Sequence, residues 1–159
     1  MAARNKQEPE ISGREVTLSR VYDAPRELVW KAWTEPEHAA QWWGPDGFTN
    51  TIIEMAVRPG GVWRFTMHAP WGQDFPNRIV FEEVVPPERL AYAHGSDEDG
   101  AEPDFHAIVT FKDLDGKTEV TMRSIFPSAE ALEYVAREFK AIEGGRQTLA
   151  RLAEYLELM

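Results

Sequence analysis

Seven apolar residues, Leu132, Val135, Phe139, Ile142, Leu149, Leu152 and Leu156, recur at three- or four-residue steps, with one gap at Gly145-Arg146. That spacing puts them on one face of a helix of about seven turns. A stripe this long needs an apolar partner, because propensity alone holds few helices together in water. Pro127-Ser128 predicts the helix start, with Ser128 as N-cap. Gly144 and Gly145 are adjacent within it. Each costs about 1 kcal/mol relative to alanine, so the pair predicts a kink or a place where bulk is not tolerated.

The middle of the chain supplies the partner. Trp63, Phe65 and Met67 alternate with Arg64, Thr66 and His68, and Leu90, Tyr92 and His94 alternate with Arg89, Ala91 and Ala93. Phe105, Ala107, Val109 and Phe111 repeat the pattern, as do Val120, Met122 and Ser124. A period of two marks a strand with one buried face. Arg58-Pro59-Gly60-Gly61, Pro86-Pro87 and Asp113-Leu114-Asp115-Gly116 separate the runs with turn residues. Ahead of them, a strand beginning at Glu15 stops at Asp23-Ala24-Pro25, where proline suits a first helical turn. Leu28, Val29, Ala32 and Trp33 form one face of the helix that follows. Thr34-Glu35-Pro36-Glu37 reads as a capping box for a second short helix ending at Trp42-Trp43-Gly44-Pro45.

The predicted class is α+β: a curved antiparallel sheet of about six to seven strands around one long C-terminal helix, with two short helices after the first strand. Residues 1–14 are expected to form a flexible arm and 15–159 a single domain. A sheet curved around a helix leaves concave apolar space, a common setting for a small ligand.

Composition narrows the chemistry. Among 159 residues, 27 acids face 17 bases, a formal net charge of −10. That disfavours nucleic acid and anionic membranes as partners. The chain has no cysteine, so thiol nucleophiles, disulfides and Cys-ligated metals are excluded. No leader or bilayer-length apolar run is seen, and the expected location is cytoplasmic. The charge is local: between Glu82 and Asp104 eight acids meet one base, Arg89, so that stretch carries −7 of the −10. The reading is a solvated acidic tip. All six tryptophans fall between Trp30 and Trp71, where the helix–sheet joint is expected.

Five segments, in order, carry a resemblance: Arg20-Val21-Tyr22-Asp23-Ala24-Pro25 with the helix after it, Gln41-Trp42-Trp43-Gly44-Pro45, Arg58-Pro59-Gly60-Gly61, Pro86-Pro87-Glu88-Arg89-Leu90, and Arg146-Gln147-Thr148-Leu149. Together they resemble the START-like (SRPBCC) superfamily, in the branch named for the activator of heat-shock-protein-90 ATPase. The resemblance implies a helix-grip (START/Bet v-like) fold with a ligand cavity under the C-terminal helix. It does not imply one function, since similar proteins include ligand binders, polyketide cyclase-like and hydrolase-like proteins, chaperone co-factors and many bacterial relatives. Two positions depart from the pattern. Ala56 stands where an acidic residue is usual, and Gly145 where a bulky aromatic, commonly Trp, is usual. Gly145 predicts a larger or more open pocket beside it.

No phosphate-cradling, dinucleotide-binding, nucleophile-elbow or zincin motif is present. The predicted cavity lining is Met55, Trp63, Phe65, Met67, Ile79, Phe81, Tyr92, Val109 and Met122 from the strands, with Phe139, Ile142 and Gly145 from the helix. Ordinary core packing explains the same residues. Asn77, Tyr92, His94, Ser124 and Arg146 are the polar groups available to orient a ligand. Arg146 either reaches a ligand or turns to an acidic neighbour. His94, with Tyr92, is the candidate for acid–base catalysis, against a plain role in bonding the backbone. Asp104 and His106 lie two apart and offer one metal edge, against a solvated outer-face pair. Trp42 and Trp43 are either a plug at the helix–sheet joint or a lip on the cavity.

The first functional expectation is a protein that binds a small apolar or amphipathic molecule, without cofactor or metal, as a monomer or homodimer. A chaperone partner and a cavity enzyme are the alternatives.

Overall fold

The structure is a computed structural model that describes residues 9–159. In chain order it contains β1 (Glu10–Ser12), β2 (Glu15–Tyr22), α1 (Arg26–Thr34), α2 (Pro36–Trp42), β3 (Thr49–Met55), β4 (Val62–His68), β5 (Asp74–Val85), β6 (Arg89–Ser96), β7 (Phe105–Asp113), β8 (Thr118–Ile125), α3 (Ala129–Glu138) and α4 (Ala141–Leu156). All strands join one antiparallel sheet in the order β1-β2-β8-β7-β6-β5-β4-β3. The α+β helix-grip class is as expected, with eight strands instead of six to seven. The additional strand is β1, which pairs Glu10 with Thr17 and Ser12 with Glu15. It arises inside the segment expected to be an arm; the first eight residues of that arm lie outside the described residues.

Local signals explain most boundaries. Asp115 (φ 60) and Gly116 (φ 97) turn the β7–β8 hairpin, and the Asp113 carboxylate accepts from Asp115 N at 3.0 Å. Ser128 accepts from Ala131 N at 3.1 Å and caps α3 as expected. The expected capping box at α2 does not form. Glu35 is the N-cap without a side-chain bond, because the Thr34 hydroxyl bonds back to Trp30 O at 2.8 Å. Pro36 at the helix start suffices.

The long C-terminal helix is two helices. The break falls at Lys140, in the left-handed region at φ 50, and not at the paired glycines. Gly144 and Gly145 are helical, and their role is close approach. A Cβ on Gly144 would sit 3.3 Å from Pro45 Cγ, and one on Gly145 only 2.6 Å from Leu18 Cδ1. The missing side chains let α4 settle onto β2 and the turn after α2.

The core is densest where α1, α2 and the second half of α4 meet the sheet. Trp33, Trp42, Trp63, Phe65, Phe111 and Leu152 are at most 2% exposed. Trp33 meets Trp42, Trp43 and Phe111 edge-on at centroid distances of 5.1, 5.3 and 5.8 Å. Burying each such side chain stabilises the fold by roughly 1.5–3 kcal/mol. A smaller cluster, Val16, Phe126 and Leu132, holds α3 separately. Among the described residues no helix is long and apolar enough to cross a membrane.

Candidate functional site

Between the concave face of the sheet and the α3–α4 corner lies a cavity of about 360 Å³, within the usual range for small-molecule sites. Its walls are mostly apolar. Val16 and Leu18 of β2, Met67 of β4, Met122 of β8 and Ile142 of α4 line it. Trp43, Tyr92, Phe105, Phe126 and Phe139 add aromatic surface.

The polar groups gather around His94. Its Nε2 lies 2.8 Å from Asn77 Oδ1, and Asn77 Nδ2 donates to Phe75 O at 2.8 Å. The Phe75 carbonyl can only accept, so it fixes the amide with Oδ1 toward His94. An amide oxygen can only accept in turn, so Nε2 carries the proton. That leaves Nδ1 as a lone pair with no hydrogen-bond partner among the described residues. Burial pushes the His94 pKa down from 6.5 to about 4, because a cation loses hydration there. His94 is therefore neutral at pH 7. Tyr92, 2% exposed, has its phenol raised well above the ordinary value by burial and stays a neutral donor. Asp104 also lines the cavity. Its backbone N–H donates to His94 O at 2.8 Å, which brings the two residues side by side. Partial burial raises its carboxyl above the ordinary value.

The predicted lining divides in two. Trp43, Met67, Asn77, Tyr92, His94, Met122, Ser124, Phe139, Ile142 and Gly145 do border the cavity. Trp63, Phe65, Ile79, Phe81 and Val109 are at most 2% exposed and pack in the core, with Met55 against them. They share the inward face, but helices and tryptophans cover them. Arg146 points away and pairs with Glu143 at 3.2 Å, the acidic-neighbour alternative. Beside Gly145 the space expected to be open is taken by Leu18. Trp42 is a plug, 1% exposed, whose Nε1 donates to Ala32 O at 3.0 Å. Trp43 serves both ends, since it belongs to the core and borders the cavity.

The metal edge does not assemble. His106 pairs with Glu82 at 3.2 Å on the outer face, while Asp104 borders the cavity. Glu35, Glu37 and His38 bring ligand atoms within 4.8 Å of one another; His38 Nε2 faces Glu35 at 3.9 Å, and its Nδ1 is bonded to the Tyr155 hydroxyl at 2.6 Å.

Sequence reasoning missed Arg151. Its Nη1 donates to Gly44 O and Pro45 O, both at 2.8 Å, and to Trp43 O at 3.3 Å, while Nη2 donates to Phe48 O at 3.0 Å. One guanidinium thus ties α4 to the turn that carries Trp43, Gly44 and Pro45, three residues of the cavity wall. Its position on α4 was readable; the carbonyls it meets were not. The solvated acidic tip is also partly corrected. The Asp97 side chain is only 7% exposed and is held by Arg64 at 3.0 Å and Arg78 at 2.8 Å.

Comparisons with known proteins agree with this architecture. The family model described as "Activator of Hsp90 ATPase homolog 1-like protein" matches residues 23–157. A solution structure from Arthrobacter aurescens superposes with a TM-score of 0.87 at 23% identity, covering 96% of this chain and 92% of that one. A crystal structure from Mycobacterium smegmatis gives 0.86 at 24% identity, over 95% and 97%. One from Nitrosomonas europaea gives 0.81 at 27% identity, over 91% and 94%. Among curated protein sequences there is no match.

Proposed function

Because this chain belongs to the activator of Hsp90 ATPase homologue 1-like family of START-like proteins, we propose that it uses the cavity to bind a small apolar or amphipathic molecule. The observation that carries this reading is the apolar cavity of about 360 Å³, where the Asp104 carboxylate and His94 Nδ1 have no hydrogen-bond partner among the described residues. Unfilled apolar space forfeits dispersion contacts, and unpartnered polar groups forfeit hydrogen bonds. A ligand with a compact apolar body and one polar end restores both.

Binding accounts for the polar groups better than catalysis does. His94 spends its proton on Asn77 and, with a pKa of about 4, is a weak base. The Tyr92 phenol is held neutral. The chaperone alternative drew on the acidic stretch to steer a basic partner. That surface is weaker than its sequence charge, since Asp97 is paired with Arg64 and Arg78 from outside the stretch.

Native mass spectrometry of the purified protein, with displacement of a fluorescent apolar probe, tests the proposal. Saturable binding that Ile142→Trp abolishes by filling the cavity is the expected result. Failure of every apolar and amphipathic probe in a broad panel to bind would overturn it.

A further inference from the structure

The cavity's charge is one-sided. Of the residues that line it, Asp104 is the only acid, and no lysine or arginine is among them. Asp104 has no ion pair and no side-chain hydrogen bond among the described residues. Of the bases next to wall residues in sequence, Arg78 pairs with Asp97, Arg123 with Glu15 and Arg146 with Glu143, while Lys140 is exposed. A carboxylate or phosphate entering this space would meet a like charge and no cation.

His94 and the aromatic rings of the lining suit a cation. His94 presents an unpartnered Nδ1 lone pair and, held neutral, does not repel a cation. Its ring lies 5.0 Å from Phe105, which stacks on Phe126 at 5.2 Å. Phe105, Phe126, Trp43 and Tyr92 all turn surface to the cavity, and aromatic faces attract cations.

We propose that the ligand is an organic cation: an amphipathic amine whose ammonium group pairs with Asp104 beside His94 and whose apolar body fills the space between Met67, Met122 and Ile142. This rests on the ligand-binding reading above and names its ligand class.

Three probes with one fused-ring body separate the possibilities: 1-naphthylmethylamine, 1-naphthalenemethanol and 1-naphthoic acid, titrated at pH 7 by calorimetry into the full chain and into Asp104→Asn. Asp104 is exposed, so the variant is expected to fold, which circular dichroism checks. The expected order is amine, alcohol, acid, with the amine tighter than the alcohol by about tenfold. In Asp104→Asn the amine falls to the alcohol's affinity while the alcohol is unchanged. If alcohol and acid bind as tightly as the amine, or if Asp104→Asn keeps the amine's advantage, the cation proposal is overturned and ligand binding stands. If none of the three binds, the cation proposal is overturned, while the ligand-binding reading is decided by the broad probe panel described above.

Discussion

The two ends of α4 face the same sheet and do opposite things. The second half lays Leu149, Leu152 and Leu156 onto a floor of tryptophans, all at most 8% exposed. The first half carries Gly144 and Gly145, and beneath it the sheet face opens into the cavity. Both halves meet inward strand positions of one sheet. The difference lies in which side chains fill the gap: four indoles and a leucine ladder at one end, methionines, small residues and a polar cluster at the other. One helix–sheet pair is thus both a close-packed core and a container.

The comparison predicts where the molecule is fragile. Trp33→Ala removes the indole touched by Trp42, Trp43 and Phe111. It is expected to cost about 3–5 kcal/mol, as deep aromatic truncations do, seen as a shift in the urea midpoint. A loss under about 1 kcal/mol would mean the sealed end is not close-packed. Arg151→Met takes a charged donor from four carbonyls, of which Trp43 O keeps Asn50 Nδ2 and Pro45 O keeps Phe48 N, and is expected to cost about 1.5–3 kcal/mol. Hydrogen exchange at 44–48 should accelerate more than elsewhere, and uniform acceleration would deny Arg151 its local role.

His94 makes the open end sensitive to acid. Its folded pKa, about 4, lies below the ordinary 6.5, so between those values the unfolded chain binds the extra proton. Stability from this source is complete above about pH 6.5 and is lost as pH falls toward 4. His94→Gln keeps a donor toward Asn77 without titrating. Its melting temperature should fall less than the wild type's over that interval, and identical slopes would remove His94 as the cause. Gly145→Ala is the smallest change. The helix gains about 1 kcal/mol of propensity, while Leu18 Cδ1 must retreat from a Cβ 2.6 Å away. Global stability should change by less than about 1 kcal/mol, while affinity for an apolar probe drops as Leu18 moves. Unchanged affinity would show that this contact does not shape the cavity.

Much of the fold was legible because its signals are local. Alternation in 63–68 and 105–111, the Asp115-Gly116 turn and the Ser128 cap each act within a few residues. The break at Lys140 was not legible, since a lysine carries no preference for positive φ; the neighbouring glycines looked the better place. At the site, sequence found the inward face but could not divide it. Trp63 and Phe65 share that face with Met67 and Asn77, and only the position of α4 and the tryptophans decides which are covered. Asp104 was assigned to the outer face by its spacing from His106. The strand begins only at Phe105, so strand alternation does not govern Asp104. Arg151 was passed over because a helical arginine looks the same in sequence whether it faces water or four carbonyls.

The pairing of β2 with β8 has a consequence in time. Strands β3 to β8 each pair with the next, so hairpins between sequence neighbours can build that meander. Joining β2 to β8 brings together Ser19 and Thr121, 102 positions apart. Closing so long a loop is entropically costly before its contacts form, and non-local pairings slow folding. The meander therefore has the means to form first, and β2 and α4 dock last. Leu18 of β2 and Gly145 of α4 both belong to the cavity wall, so the ligand's room is among the last things the folding chain completes.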